Sequence, residues 1–147
     1  MLLLPNGQGT RLLNEFMQVQ VLPGALINLK VGLKVTIDIF NLTNQYIFNK
    51  VWQGAVLQNF QSSTNEWGEP VYRNSNGLKC HIGHLIPDEC YSSSFEGHGA
   101  SFIFECSESQ VKFLERIQKA HDFDNAANEI KSNLLKVAKE YSLIIPE

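Results

Sequence analysis

The chain predicts an α+β domain: a small β unit, formed by an N-terminal strand and a hairpin, packed with one helix and a C-terminal αα-hairpin. Three observations lead there. The stretch "LKVTIDIF" alternates apolar Leu33, Val35, Ile37 and Ile39 with polar residues, the period of a half-buried strand. "VYRNSNGLKC" sets two short extended pieces about an Asn-Gly turn. The C-terminal third then repeats apolar residues at helical spacing, in two runs separated by a very short turn.

The elements follow in order. Residues 1–30 read as an irregular N-terminal arm, because glycine and proline interrupt every period. Two explanations stay open for it: an ordinary arm carrying a short strand, or an over-extended reading frame. Val19-Gln20-Val21 followed by Leu22-Pro23-Gly24 resembles the T-arm of a transfer-RNA gene read as codons. Residues 31–147 then form a single domain. After the strand at 33–40, Thr43 and Asn44 offer capping oxygens to a helix over Gln45 to Asn59, whose Ile47, Val51, Ala55 and Gln58, flanked by Phe48 and Trp52, make an apolar stripe and whose Gly54 weakens it. "QSSTNEWGEP" is turn chemistry. The hairpin pieces are Val71 to Arg73 and Leu78 to Cys80. "HIGHLI" predicts a short helix ending before Pro87, since a residue ahead of proline is biased away from helical geometry, and "PDECY" predicts a second with Asp88 and Glu89 at its positive end. "SSSFEGHGAS" reads as a loop. Ser107 or Ser109 caps a helix over Gln110 to His121 with Val111, Leu114, Ile117 and His121 on one side, and Asp122 or Asp124 caps a last helix carrying Ala127, Ile130, Leu134, Val137 and Tyr141.

At 147 residues and 44% hydrophobic, one core is expected. A formal net charge of -3 supplies no global positive field, which argues against a nucleic-acid partner. Cys80, Cys90 and Cys106 are an odd, scattered set, which predicts reduced thiols in a cytoplasmic protein, and no apolar run approaches the roughly 20 residues of a membrane span.

Several constellations carry candidate chemistry. Cys80, His84, Cys90 and His98 form C-x3-H-x5-C-x7-H, four soft ligands sufficient for a closed zinc site, although the spacing matches no standard module. Cys80 lies where an extended piece enters a helix, a position that lowers a thiol pKa, so it is the candidate nucleophile, with His81, His84, His98 or His121 as base. Asp88 beside Glu89, with Glu96 nearby, is a candidate for acid/base work or for holding a divalent cation, against the plainer role of stabilising a helix start. Arg73 and Lys79 could hold an anion such as a nucleotide phosphate, with Tyr91 in the same pocket. Phe95, Phe102, Phe104, Trp67 and Tyr72 sit in or beside loops, where aromatics either face a partner or fold inward. The lysines and Arg116 of the last helices alternate with glutamates, the pattern of an exposed face.

The stretch "YRNSNGLKCHIGHLIPDECYSSSFEG", with "FLERIQKAHD" and "LLKVAKEYSL" after it, resembles a family of small uncharacterised bacterial and bacteriophage proteins with a GLKCxIGxLIPD core. The resemblance covers about Thr43 to Leu143, and members often lack His81, His84, His98 and Cys90. It implies a phage or prophage setting and a fold, and no reaction. The expectation is therefore a non-enzymatic, phage-associated accessory protein that binds a host or phage protein, inhibition of host defence being its finer form. The alternative is a small enzyme or nucleotide binder with its pocket around Cys80. A zinc-stabilised module is third.

Overall fold

The computed structural model describes residues 26–29, 35–122 and 126–147. Strand β1 (Leu26–Leu29) pairs antiparallel with β2 (Val35–Asp38), and β2 pairs in parallel with a two-residue β3 (Phe104–Glu105), in the order β1-β2-β3. Helix α1 (Asn44–Leu57) follows β2; a short helix α2 (Ala100–Ile103) runs directly into β3; α3 (Glu108–Asp122) and α4 (Ala127–Glu140) form the αα-hairpin. The α+β class holds, with the C-terminal helical pair in its expected place. Among the described residues no helix is long and apolar enough to cross a membrane.

Local chemistry explains the boundaries. Thr43 Oγ1 accepts from the Tyr46 N–H at 3.1 Å and starts α1, whose buried stripe is Ile47, Phe48, Val51, Trp52 and Ala55. At α3 a reciprocal pair does the capping: Ser107 Oγ accepts from the Gln110 N–H, and Gln110 Oε1 accepts from the Ser107 N–H. The Gln110 amide then turns inward, its Nε2 lying 2.7 Å from the Ile39 carbonyl and 3.0 Å from that of Leu42, so the start of α3 is tied to the chain leaving β2. Phe113, Leu114, Ile117 and Ala120 of α3 meet Leu134, Val137 and Ala138 of α4 in one core with α1. Arg116 Nε donates to Glu140 across the hairpin at 2.8 Å.

Four expectations need correction. The hairpin at 71–80 has no strands, only the single bridge Arg73↔Lys79. Residues Leu26 to Leu29 of the arm belong to the sheet, so a domain beginning at 31 would cut an antiparallel pair. Asp122 ends α3 and does not cap α4, whose N-cap position is Ala126 without a side-chain cap; Asp124 lies outside the described residues, as do Leu33 and the arm before Leu26. The loop after Ser92 contains α2 and leads into β3, neither of which was expected.

The segment between α1 and α2 carries the predicted short helices as single 3-10 turns, Ile82–Leu85 and Asp88–Cys90, broken at Pro87. It is fastened to the helices by side chains. Gln58, the C-cap of α1, bonds both the Lys79 N–H (3.1 Å) and its carbonyl (2.6 Å), and Gln118 of α3 accepts from the Ile82 N–H at 3.1 Å. Two glycines permit the close fit. A Cβ on Gly83 would stand 2.1 Å from the Tyr72 carbonyl oxygen, and one on Gly54 would stand 2.2 Å from His84 Nδ1. Gly54 thus gives up helix propensity to admit the His84 ring.

The same segment uses one loop twice. In Asn65-Glu66-Trp67-Gly68-Glu69, the Asn65 N–H donates to the Glu69 carbonyl, the Gly68 N–H donates to the Asn65 carbonyl, and Asn65 Oδ1 accepts from the N–H groups of Trp67 and Glu69. In Asn74-Ser75-Asn76-Gly77-Leu78 every one of these bonds recurs at the equivalent position. Gly68 and Gly77 have φ of 80° and 79°, and bridges Thr64↔Pro70 and Arg73↔Lys79 close the two loops. Asn-x-x-Gly, nine residues apart in the chain, was their visible signature.

A cleft beside the Trp67 loop as candidate functional site

Residues 115, 118, 119 and 122 share one face of α3, by helical periodicity. Opposite them lies the loop Glu96 to Ala100. Between the two runs a cleft with two lobes, of about 150 Å³ and about 360 Å³, which share Tyr72, Gly97, His98, Gln118 and Asp122. Pro70, Cys80 and Glu96 complete the smaller lobe, and Ile82, Ala100, Glu115 and Lys119 the larger.

The walls are fixed by bonds on both sides. Glu96 accepts from the N–H groups of Tyr72 (2.9 Å) and Arg73 (3.2 Å) and from the Tyr91 hydroxyl (2.7 Å). The Tyr72 hydroxyl donates to the His98 carbonyl, and the His98 ring stacks on Phe102 with centroids 3.9 Å apart. On the helix side Asp122 Oδ1 accepts from Gln118 Nε2 at 2.5 Å and from His121 Nδ1 at 3.1 Å. His121 Nε2 accepts from the Ser63 N–H at 2.9 Å, which assigns the His121 proton to Nδ1.

Cys80 is fully buried and forms the floor of the smaller lobe. Its sulfur accepts from the Gly83 N–H at 3.3 Å. Burial pushes this thiol up to about 12, the Asp122 and Glu96 carboxylates add to the rise, and the bonds from Gly83 and Gln118 oppose it. The lowering expected for a thiol at a helix entry is therefore reversed, first by burial and then by negative neighbouring charges, against a helix that is a single 3-10 turn. The histidines nearby are held neutral. Burial takes His81 down to about 3, helped by His121, while its Nδ1–H donates to the Ile117 carbonyl at 3.0 Å. Burial, then Lys79, takes His84 down to about 4. The rings of His81 and His121 meet edge to face at 5.3 Å, and among the described residues Nε2 of both His81 and His84 is buried without a hydrogen-bond partner.

The proposed zinc ligands are dispersed among different jobs. Cys80 is in the core, His84 fills the space over Gly54, Cys90 is half-buried, and His98 is exposed on the cleft rim. Among the described residues no three His, Cys, Asp or Glu side chains are grouped to hold a metal ion.

The anion-site candidates do converge, together with Asp88. Its Oδ1 lies 2.8 Å from Arg73 Nη2 and 3.0 Å from Lys79 Nζ, and the Arg73 guanidinium sits over the Tyr91 ring at 4.5 Å. Lys79, then Arg73, hold the Asp88 carboxyl below its ordinary range. Asp88 occupies the place an anion would take, and the expected acid or base is a carboxylate between two cations.

Of the five loop aromatics, Tyr72, Phe95 and Phe104 are buried, Phe102 is partly buried under His98, and Trp67 is 76% exposed. Sequence reasoning missed Gln118 and Asp122 as wall residues, since nothing in the spacing of α3 says what its outer face meets, and it placed Glu96 only beside the Asp88-Glu89 pair. Comparison with protein-family models, with curated proteins and with solved structures gives no match for the chain.

Proposed function

We propose that this chain is a binding protein that docks on another macromolecule, namely a host or phage protein in the phage or prophage setting that the resemblance implies, with inhibition of host defence as the finer form. Trp67 carries the reading. The twin loops show that the fold does not need it: the equivalent position of the second loop holds Asn76, with the same backbone bond to the loop asparagine. A tryptophan left 76% exposed on a loop braced by five hydrogen bonds from or to Asn65 is an anchor with little entropy left to lose on binding. Tryptophan is also the residue type most enriched where binding energy concentrates.

The test is capture by the tagged full chain from a bacterial host, in parallel with Trp67→Ala. A protein retained in stoichiometric amount by the parent and lost by the variant is expected. An empty parent, or equal retention by both, would overturn the reading. The small-ligand alternative draws support from the lobe against Cys80, and native mass spectrometry of the purified chain tests it through any mass above that of the polypeptide. The zinc-stabilised module is abandoned if dialysis against a strong chelator leaves Tm unchanged.

A further inference from the structure

The Trp67 loop adjoins the cleft through Pro70. Pro70 closes the loop through its bridge with Thr64 and also lines the smaller lobe. Glu66 and Glu69 flank Trp67 in the loop, and Glu96, Glu115 and Asp122 line the cleft. Lys119 is the one lysine or arginine among the residues lining the two lobes. The nearby cations Arg73 and Lys79 are engaged with Asp88.

The lining is graded as well as acidic. Ile82, Ala100 and Tyr72 offer apolar surface, and the carboxylates of Asp122 and Glu115 stand on the helix above it. A long side chain with an apolar stem and a cationic head matches both parts. A phosphate or other anion would meet carboxylates on both walls, which the nucleotide alternative would have to overcome.

Resting on the reading of this chain as a docking protein, we propose that the cleft receives an arginine or lysine side chain from a basic segment of the partner protein, with Asp122 and Glu115 as counter-charges and Trp67 as the adjoining anchor. Charge complementarity chooses the occupant: the face is negative around an aromatic, so its partner is positive around a pocket. Lys119, at the rim, works against the incoming cation and limits affinity.

The probe is a synthetic decapeptide of alternating arginine and alanine, compared with its citrulline and glutamate counterparts, titrated into the isotope-labelled full chain by NMR. The arginine peptide is expected to shift the amides of Gly97, His98, Gly99 and Gln118, and to bind roughly tenfold or more tightly than the citrulline peptide, the worth of a partly desolvated charge pair. Glu115→Gln should weaken it and Lys119→Gln should tighten it, each by roughly threefold, the scale of an exposed pair. Both positions are exposed, so neither variant threatens the fold. Equal binding of the citrulline peptide, tighter binding of the glutamate peptide, or shifts confined to another face would overturn the proposal. The captured partner separates it from the broader reading. Loss on Trp67→Ala with full retention by Glu115→Gln and Asp122→Asn leaves docking standing and removes the cleft from it. Arginine-peptide binding by a chain that captures no protein removes the docking reading, and the protein source of the side chain with it.

Discussion

One methyl group added at Gly83 would be driven into the Tyr72 carbonyl, which is backbone and cannot rotate aside. Gly83→Ala is therefore expected to cost about 1–3 kcal/mol or more in urea unfolding, as overpacking does. Gly54→Ala meets the ring of His84 instead, so its cost should fall when His84 is also shortened. The histidines set a pH dependence. His81 and His84 are neutral in the folded chain down to about pH 3 and 4, whereas in the unfolded chain they titrate near 6.5. Above that value neither state binds the protons and stability is flat. As pH falls below it, the unfolded state takes them up first, and stability declines toward pH 4 by about 1.4 kcal/mol per unit for each histidine. Denaturant midpoints measured from pH 7.5 to 4.5 should follow this slope, and His81→Asn should flatten it. Thiol reactivity is a third reading at this scale: iodoacetamide at pH 8 should label half-buried Cys90 and Cys106 well before Cys80, with mass spectrometry assigning the sites. Early labelling of Cys80 would return it to the list of nucleophiles.

Elements with a full helical period were legible in the sequence, and those without one were not. The apolar stripe and Thr43 marked α1, and Ser107 with Gln110 marked α3, because caps and 3.6-residue spacing are local properties. A two-residue strand such as β3 has no period at all. It exists because Ile37 and Phe104 meet in parallel register across a long stretch of chain. The hairpin expected at 71–80 is present only as its innermost rung. The bonds Asn74 N–H to Leu78 and Cys80 N–H to Tyr72 join its two pieces about the bridge Arg73↔Lys79. The outward-facing backbone groups of Arg73 and Lys79 are taken by the Glu96 and Gln58 side chains, so no strand extends there. Gln110 is the element-scale test: Gln110→Ala leaves buried carbonyls of Ile39 and Leu42 without their amide and should destabilise by about 1–3 kcal/mol, read from urea midpoints. If the cost stays below about 0.5 kcal/mol, the amide is not the link between α3 and the sheet.

For the molecule as a whole, sequence alone reached the α+β class and a core segment in "GLKCHIGHLIPDE", where of the apolar residues Leu78, Ile82, Leu85 and Ile86 the last three are buried, beside Cys80, and Leu78 stays half-buried. It reached the candidate site only in fragments. Tyr72, His98 and the face of α3 become one cleft through tertiary bonds that no spacing rule encodes, whereas Arg73, Lys79, Asp88 and Tyr91 lie close enough along the chain to be grouped, and they contact one another, both cations on the Asp88 carboxylate and Arg73 over the Tyr91 ring. Trp67→Ala separates binding from folding. With the indole 76% exposed, the variant should keep its unfolding free energy within about 0.5 kcal/mol of the parent while losing its partner. A large loss of stability would mean that the indole supports the fold.

The amide of Gln110 reaches residues 71 positions earlier, and the Gln45 side chain clasps Ile144 across 99 positions. Local helices and the two Asn-x-x-Gly loops can form within their own segments, but these ties wait until most of the chain has been gathered, since closing a long loop costs entropy before any contact returns it. The helical hairpin should therefore assemble early and the seam joining α3 to the sheet late. Changes at Gln110 would then appear chiefly as faster unfolding, with the refolding rate nearly untouched.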